Sequence, residues 1–349
     1  MSDFSTLLLE WYSKHSRKLP WRDSTDPYTI WVSEIMLQQT RADTVIPYYN
    51  NWIKHYPNVK SLAEANERDI LLIWEGLGYY QRVKNLIRTA VIIRDEFDGM
   101  IPVDTKKLIT LPGIGPYTAN AIASIAFNKD SPAVDGNIRR IISRVLNIGQ
   151  QADLPPANKL ILHYLNEVMP SGKVGDFNQA LMDLGAMVCT PKNPDCLYCP
   201  ISKDCIAFSI GNQNERPILK KKQKIPTELY VCAVINRNDK YLICHRKDKK
   251  RLGGLWEFPN GRISADEIES TSTITSVCME NYGLDIKVLD ELGTYRHSYT
   301  HYKQIMDVFQ CDIINQRRKV PAGMKWSNIQ EMSDYPMGKI FRDISKSLI

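Results

Sequence analysis

Four of the chain's eight cysteines, Cys189, Cys196, Cys199 and Cys205, fall in one short segment with the spacing C-x6-C-x2-C-x5-C. No other stretch restricts the fold as tightly. Four thiolates from a single loop can wrap an iron–sulfur cubane, whose irons each take one ligand, while a tetrahedral zinc site usually draws on two separated close pairs. Only one Cys-x-x-Cys pair occurs here, so a [4Fe–4S] cluster is the first reading, with zinc and unligated thiols as alternatives. Cys232, Cys244, Cys278 and Cys311 are scattered, as buried thiols are. The opening Met-Ser-Asp-Phe-Ser has neither a basic flank nor an apolar core, and no apolar run has membrane length. A cytoplasmic protein that makes no membrane contact and has no disulfide framework is expected.

The 349 residues allow two cores, and the periodicity of the sequence changes once. Residues 1–211 read as helical, 212–226 as a polar, Lys-rich linker bounded by prolines, and 227–349 as strands with a helix from Asp266 to Asn281 and another near the end. The formal net charge of +6 is compatible with a polyanionic partner without requiring one.

Within the helical part, Leu111-Pro-Gly-Ile-Gly-Pro116 should turn tightly through Gly113 and Gly115 and leave amides free at the start of the helix Tyr117 to Phe127, a cradle for an anion. Asp26-Pro27 opens a helix expected to run from Tyr28 to Arg41, which places Glu34, Gln38 and Arg41 on one stripe and Gln39 on another side. That stripe is a solvated face unless Glu34 has a partner. Asp135 precedes the amphipathic helix Ile138 to Leu146, where it would cap the helix and be held ionised by the N-terminus.

A helical hairpin, then an Asp, then this cysteine spacing resembles the helix-hairpin-helix DNA glycosylases related to endonuclease III, and within them the MutY-type adenine DNA glycosylases. The segments that carry the resemblance are Leu19-Pro-Trp-Arg22, Trp31-Val-Ser-Glu-Ile-Met-Leu-Gln-Gln-Thr-Arg41, Gly76-Leu-Gly-Tyr-Tyr80, the hairpin with Tyr117, Val134-Asp-Gly-Asn137, Phe177 to Ala186 and the cysteine loop; Leu255-Trp-Glu-Phe-Pro-Asn-Gly261 is similar to the Nudix-like domain of the same proteins. The resemblance implies a multidomain fold. An all-α helix-hairpin-helix glycosylase domain with an iron–sulfur loop would be followed by an α+β Nudix-like domain.

It also implies roles. Glu34 would protonate adenine and Asp135 would stabilise the cationic sugar, with Tyr117 and Asn137 beside it. Arg22 and Gln179 match residues of the adenine pocket, and Gln39, Thr40, Leu77 and Tyr79 match residues that probe and wedge the opposite base. Gly113 and Gly115 would offer amides to a backbone phosphate, and Cys189, Cys196, Cys199 and Cys205 would hold the cluster. In strand-cleaving relatives a lysine follows the hairpin glycines; here the residue is Tyr117, which favours a monofunctional enzyme over a lyase. A non-catalytic iron–sulfur DNA-binding protein is the alternative from another class.

The stretch that would form a Nudix helix offers only Glu280 where paired glutamates hold Mg²⁺, so the second domain reads as a binding module and not as a hydrolase. In the family a Phe-Ser-His turn recognises 8-oxoguanine. Tyr299, Thr300 and His301 stand in its place. The implied partner is double-stranded DNA with adenine opposite 8-oxoguanine or guanine, bound by a monomer.

Overall fold

The computed structural model describes residues 3–220, 224–247, 253–264, 270–314 and 321–349. They form two compact units: Met1–Ala65 with Arg82–Lys222, and Asn66–Gln81 with Gln223–Ile349. The helices before the sheet are α1 (Asp3–His15), α2 (Pro27–Leu37), α3 (Ala42–His55), α4 (Val59–Ala63), α5 (Glu67–Trp74), α6 (Gln81–Glu96), α7 (Thr105–Thr110), α8 (Pro116–Phe127), α9 (Gly136–Val145), α10 (Pro155–Val168), α11 (Val174–Met187) and α12 (Ile206–Ser209).

Helix α2 starts as its sequence dictates: Pro27 fills the first turn and Asp26 accepts a hydrogen bond from the Tyr28 amide at 2.9 Å. Every residue from Tyr28 to Met36 is buried. The solvated stripe expected around Glu34 therefore does not exist. The helix also ends at Leu37, short of Arg41, because Arg82 Nη1 donates to the carbonyls of Ile35, Met36 and Gln38 at 2.9, 2.8 and 2.6 Å and Gln39 turns into the left-handed region at φ 57°. A guanidinium at a helix C-terminus satisfies carbonyls that have no helical partner and offsets the dipole. Gln38 and Arg41 thus leave the stripe, and Gln39 and Thr40 lie in the turn.

The hairpin between α7 and α8 needs one of its two glycines for conformation. Gly113 is at φ 79°, and a Cβ there would lie 2.7 Å from Cβ of Asn85. Gly115 is at φ −89° with open space around it, so it makes no use of the left-handed region; it caps α8 without a side-chain bond. Helix α7, too short to show a period, is announced only by its Asp104 cap, which accepts from the Lys106 amide at 2.9 Å. Helices α4 and α5 are divided where the Asn66 side chain caps the second.

Behind the hairpin, Ile138, Ile141, Ile142 and Val145 of α9 share a core with Phe4 and Leu8 of α1, Ala157, Ile161 and Leu165 of α10, and Phe177, Leu181 and Leu184 of α11. Burying each large aliphatic side chain contributes roughly 1.5–3 kcal/mol before entropy is counted. The first part of the expected linker lies on these helices, with Ile218 bridged to Gln151 and the Arg216 carbonyl accepting from Arg144 Nε at 3.0 Å.

In the second unit β1 (Thr227–Arg237), β2 (Lys240–His245), β3 (Trp256–Glu257), β4 (Asn260–Ile263), β5 (Ile286–Ser298), β6 (Lys303–Ile313) and β7 (Met324–Ser327) form a mixed sheet. Strand β1 runs parallel to β6 and antiparallel to β4, while β5 and β6 form a long hairpin. Alternation along β1 divides the core. Val231, Ala233 and Ile235 face α13 (Ser270–Tyr282), and Cys232 and Val234 face α14 (Lys339–Ser347). The start expected for α13, from Asp266, lies outside the described residues. Cys232, Cys244, Cys278 and Cys311 are all buried.

Candidate active site

Helices α2, α8, α9 and α11 enclose a cavity of about 970 Å³ that brings together Glu34, Tyr117, Asp135, Asn137, Gln179, Arg22, Gln39 and Thr40. Eight positions singled out in the sequence therefore share one space. Its volume is ample for a nucleobase with its sugar.

Glu34 is 5% exposed, and the Tyr117 hydroxyl donates to its Oε2 at 2.5 Å. Burial pushes the Glu34 carboxyl up to about 7; the Tyr117 bond opposes this, the charge of Asp135 adds to it, and Arg22 pulls the other way. Near neutral pH a large fraction of Glu34 carries a proton. Tyr117 itself is raised well above the usual phenol by burial and by the two carboxylates, so it remains a donor.

Asp135 caps α9, accepting from the Ile138 amide at 2.7 Å and from Asn137 Nδ2 at 2.9 Å. The cap is as expected, but the direction of its titration is not. Burial raises Asp135, and the bonds from Ile138 and Asn137 with the charge of Arg140 only partly offset it. These donors nevertheless all favour the ionised form.

A chain of hydrogen bonds continues from Asp135 and was invisible in the sequence. Asn137 Oδ1 accepts from Arg140 Nη2 at 2.8 Å, which also donates to the Gly185 carbonyl at 2.7 Å, and Arg140 Nε donates to the Cys189 carbonyl at 2.8 Å. One turn on, Arg144 Nη1 reaches Cys189 Sγ at 3.2 Å and the Thr190 carbonyl at 2.8 Å. Gly185 is there for space, since a Cβ would stand 2.6 Å from Cβ of Asn137.

Arg22 lies at the cavity wall as expected, but its fork is engaged. It donates from Nη1 and Nη2 to the buried Asp183 at 2.5 and 2.7 Å, and Arg17 adds bonds from its amide and Nε at 3.0 and 2.7 Å. Burial pushes the Asp183 carboxyl up, but Arg22 and Arg17 outweigh it and hold it below the usual range. Asp183 is a missed residue whose only signal was a charge within the apolar helix segment Ala180 to Ala186.

In the second unit Leu77 is 5% exposed and Tyr79 39% exposed at φ 50°. The Tyr79 hydroxyl meets that of Thr300, so two residues assigned separately to the opposite base touch. Tyr299 stacks on Tyr302 with centroids 4.6 Å apart and meets His297 edge-on, while Thr300 and His301 are exposed at the tip of the β5–β6 turn. The ring of Tyr299 is thus committed to the hairpin.

Cys189, Cys196, Cys199 and Cys205 line one small cavity of about 20 Å³ with Arg144, Val145, Ile201 and Phe208. Burial raises the thiols of Cys196, Cys199 and Cys205. Among the described residues no three His, Cys, Asp or Glu side chains are arranged to hold a metal ion. No described helix is long and apolar enough to cross a membrane.

Residues 32–169 match the model of the HhH-GPD superfamily base excision DNA repair proteins, and residues 230–347 match that of the NUDIX domain. An adenine DNA glycosylase of Buchnera aphidicola subsp. Schizaphis graminum is 40% identical over 76% of this chain and 77% of its own length. This chain belongs to the adenine DNA glycosylase family. The mouse adenine DNA glycosylase is 31% identical over 97% of this chain and 77% of its own length, so the likeness extends through both units. The solved structure of a thermostable thymine-DNA glycosylase superposes with a TM-score of 0.55 at 31% identity, covering 59% of this chain and 95% of that one. The protein is a DNA glycosylase with a helical helix-hairpin-helix domain followed by a sheet-containing Nudix-like domain.

Proposed function

We propose that the chain hydrolyses the N-glycosidic bond of adenine mispaired with 8-oxoguanine or guanine in double-stranded DNA, leaving the strand intact. One observation carries this reading: a buried carboxyl raised to about 7 lines the same cavity as a second, capped carboxyl. Adenine is a poor leaving group until its ring is protonated. Protonated Glu34 supplies a proton to N7, the C1′–N9 bond breaks with its electron pair passing to the base, and ionised Asp135 stabilises the positive charge left on the sugar. Water then adds at C1′ and returns a proton to the Glu34 carboxylate. Tyr117 holds Glu34 by its hydroxyl and, being a phenol, offers no amine for a Schiff base. Asn137 orients Asp135, and Arg22 and Gln179 line the base pocket.

Gln39, Thr40, Leu77 and Tyr79 would probe or wedge the opposite base, and the turn Tyr299-Thr300-His301 would read the lesion edge. The amides of Gly113 and Gly115 would hold a phosphate.

The four clustered cysteines fit a [4Fe–4S] cluster. Burial raises the thiols of Cys196, Cys199 and Cys205, so thiolates there need positive charge beside them, which a cluster would provide. All four cysteines come from one loop and line one cavity, and a cubane's four irons take one ligand each. The cluster would order the loop that carries Lys192 and Lys203.

The test uses Glu34→Gln and Asp135→Asn. Both should bind an adenine-containing duplex with near wild-type affinity and lose base release by roughly 10²-fold or more. Unchanged release from both would leave a non-catalytic DNA-binding protein as the better reading.

A further inference from the structure

Helix α5 ends at Trp74, and the carboxylate of the next residue, Glu75, is held by Arg342 and Met337 within the second unit. Arg342 on α14 donates from Nε to Oε1 at 2.5 Å and from Nη2 to Oε2 at 2.9 Å, and the Met337 amide donates to Oε2 at 3.0 Å. Arg342 is anchored in turn on the Met332 and Tyr335 carbonyls at 2.9 and 2.7 Å. A bidentate, partly buried guanidinium–carboxylate pair is a rigid joint and differs from a loose surface pair.

The loop that follows depends on that joint. Gly76, Gly78 and Tyr79 have φ of 96°, 74° and 50°, a backbone course with little local preference behind it. Its far end rests on Thr300 through the two hydroxyls, and the Tyr80 hydroxyl donates to the Met337 carbonyl at 3.4 Å. Helix α14 is fastened to the same hairpin by Tyr295 Oη and Ser347 Oγ at 2.6 Å. The contacts close a ring: Glu75, Arg342, α14, β5, Thr300, Tyr79 and back to Glu75.

We propose that the Glu75–Arg342 pair is a positioning element for opposite-base selectivity, fixing Tyr79 against Thr300 so that loop and hairpin read the base as one unit. The inference rests on the function proposed above. Guanine and 8-oxoguanine differ at N7, an acceptor in one and a donor in the other, and at C8, which gains a carbonyl. Two hydroxyls distinguish such edges only when their positions are set before binding. Freed from Arg342, the loop would have to be ordered by each substrate, and the advantage of 8-oxoguanine would shrink.

The experiment measures single-turnover base release from adenine opposite 8-oxoguanine and opposite guanine, using full-length wild type, Glu75→Gln and Arg342→Lys. The rate ratio of the two duplexes should fall roughly tenfold in both variants through the 8-oxoguanine rate, with the guanine rate within about twofold of wild type. Arg342→Lys keeps the charge and loses the fork, so it reports even if Glu75→Gln folds poorly. In a Tyr79→Phe background the same substitutions should leave the ratio where Tyr79→Phe puts it. An unchanged ratio, or equal loss on both duplexes, overturns the positioning role and leaves adenine excision standing. A wild type that does not discriminate between the duplexes overturns the lesion reading itself.

Discussion

The Tyr117 hydroxyl stands 2.5 Å from Oε2 of Glu34, a carboxylate with almost no access to water. That bond favours the ionised carboxylate, whereas burial favours the acid. Burial wins. The single-turnover rate should fall as pH rises through about 7 and Glu34 loses its proton. Tyr117→Phe removes the bond that lowers Glu34, so its decline should begin at higher pH than in the wild type. Parallel pH profiles of the two proteins check this, and coincident or inverted limbs would contradict it.

The same burial opposes folding. Glu34 is raised from 4.5 to about 7, so the folded chain binds its proton more tightly than the unfolded chain. The associated stability is complete below the unfolded value and is lost as pH rises through about 7, a swing of roughly 3 kcal/mol. Glu34→Gln should therefore abolish base release and raise the thermal midpoint above wild type near pH 8, with the gap narrowing toward pH 5. Equal midpoints at all pH values would show that the native site already accommodates the charge.

Gly185 leaves room for Asn137. Gly185→Ala gains helix propensity but puts a methyl group against the side chain that orients Asp135. A displacement of that size near reacting groups is worth on the order of 100-fold in rate. Slow base release with nearly normal duplex affinity is expected, and wild-type kinetics would show that Asn137 can move at no consequence.

Arg82 gathers three carbonyls at the end of α2 and reaches Thr40 Oγ1 at 3.3 Å. Arg82→Met leaves those acceptors without a cation, a loss expected to be about 2–4 kcal/mol in chemical denaturation. Base release should suffer beyond the loss of stability, because Arg82 bonds both neighbours of Gln39, which is in the left-handed region at φ 57°. A variant with wild-type stability would place the determinant of the turn elsewhere.

What the sequence could show was local. The Asp26-Pro27 and Asp135 caps, the left-handed Gly113 and the period of α9 are properties of neighbouring residues, and all are found. The end of α2 is set by Arg82, a residue far along the chain, and no pattern within α2 carries that information. Asp135 was expected to be held low because its cap is local, whereas the helices that bury it are not. The network of Arg140, Gly185 and Cys189 joins α9 to the end of α11 and the cysteine loop, and only tertiary packing makes it. Strands β3, β4 and β7 are too short to alternate visibly. The grouping of Asn66–Gln81 with the C-terminal residues rests on pairs such as Glu75 and Arg342, which nothing in their neighbourhoods announces.

The most direct measurement is single-turnover cleavage of a duplex with one adenine opposite 8-oxoguanine, scored for strand breakage before and after hot alkali. Breakage only after alkali is the expected result, because base loss leaves an intact strand when no lysine attacks C1′. Breakage without alkali would mean a lyase. No product under either condition would contradict adenine excision.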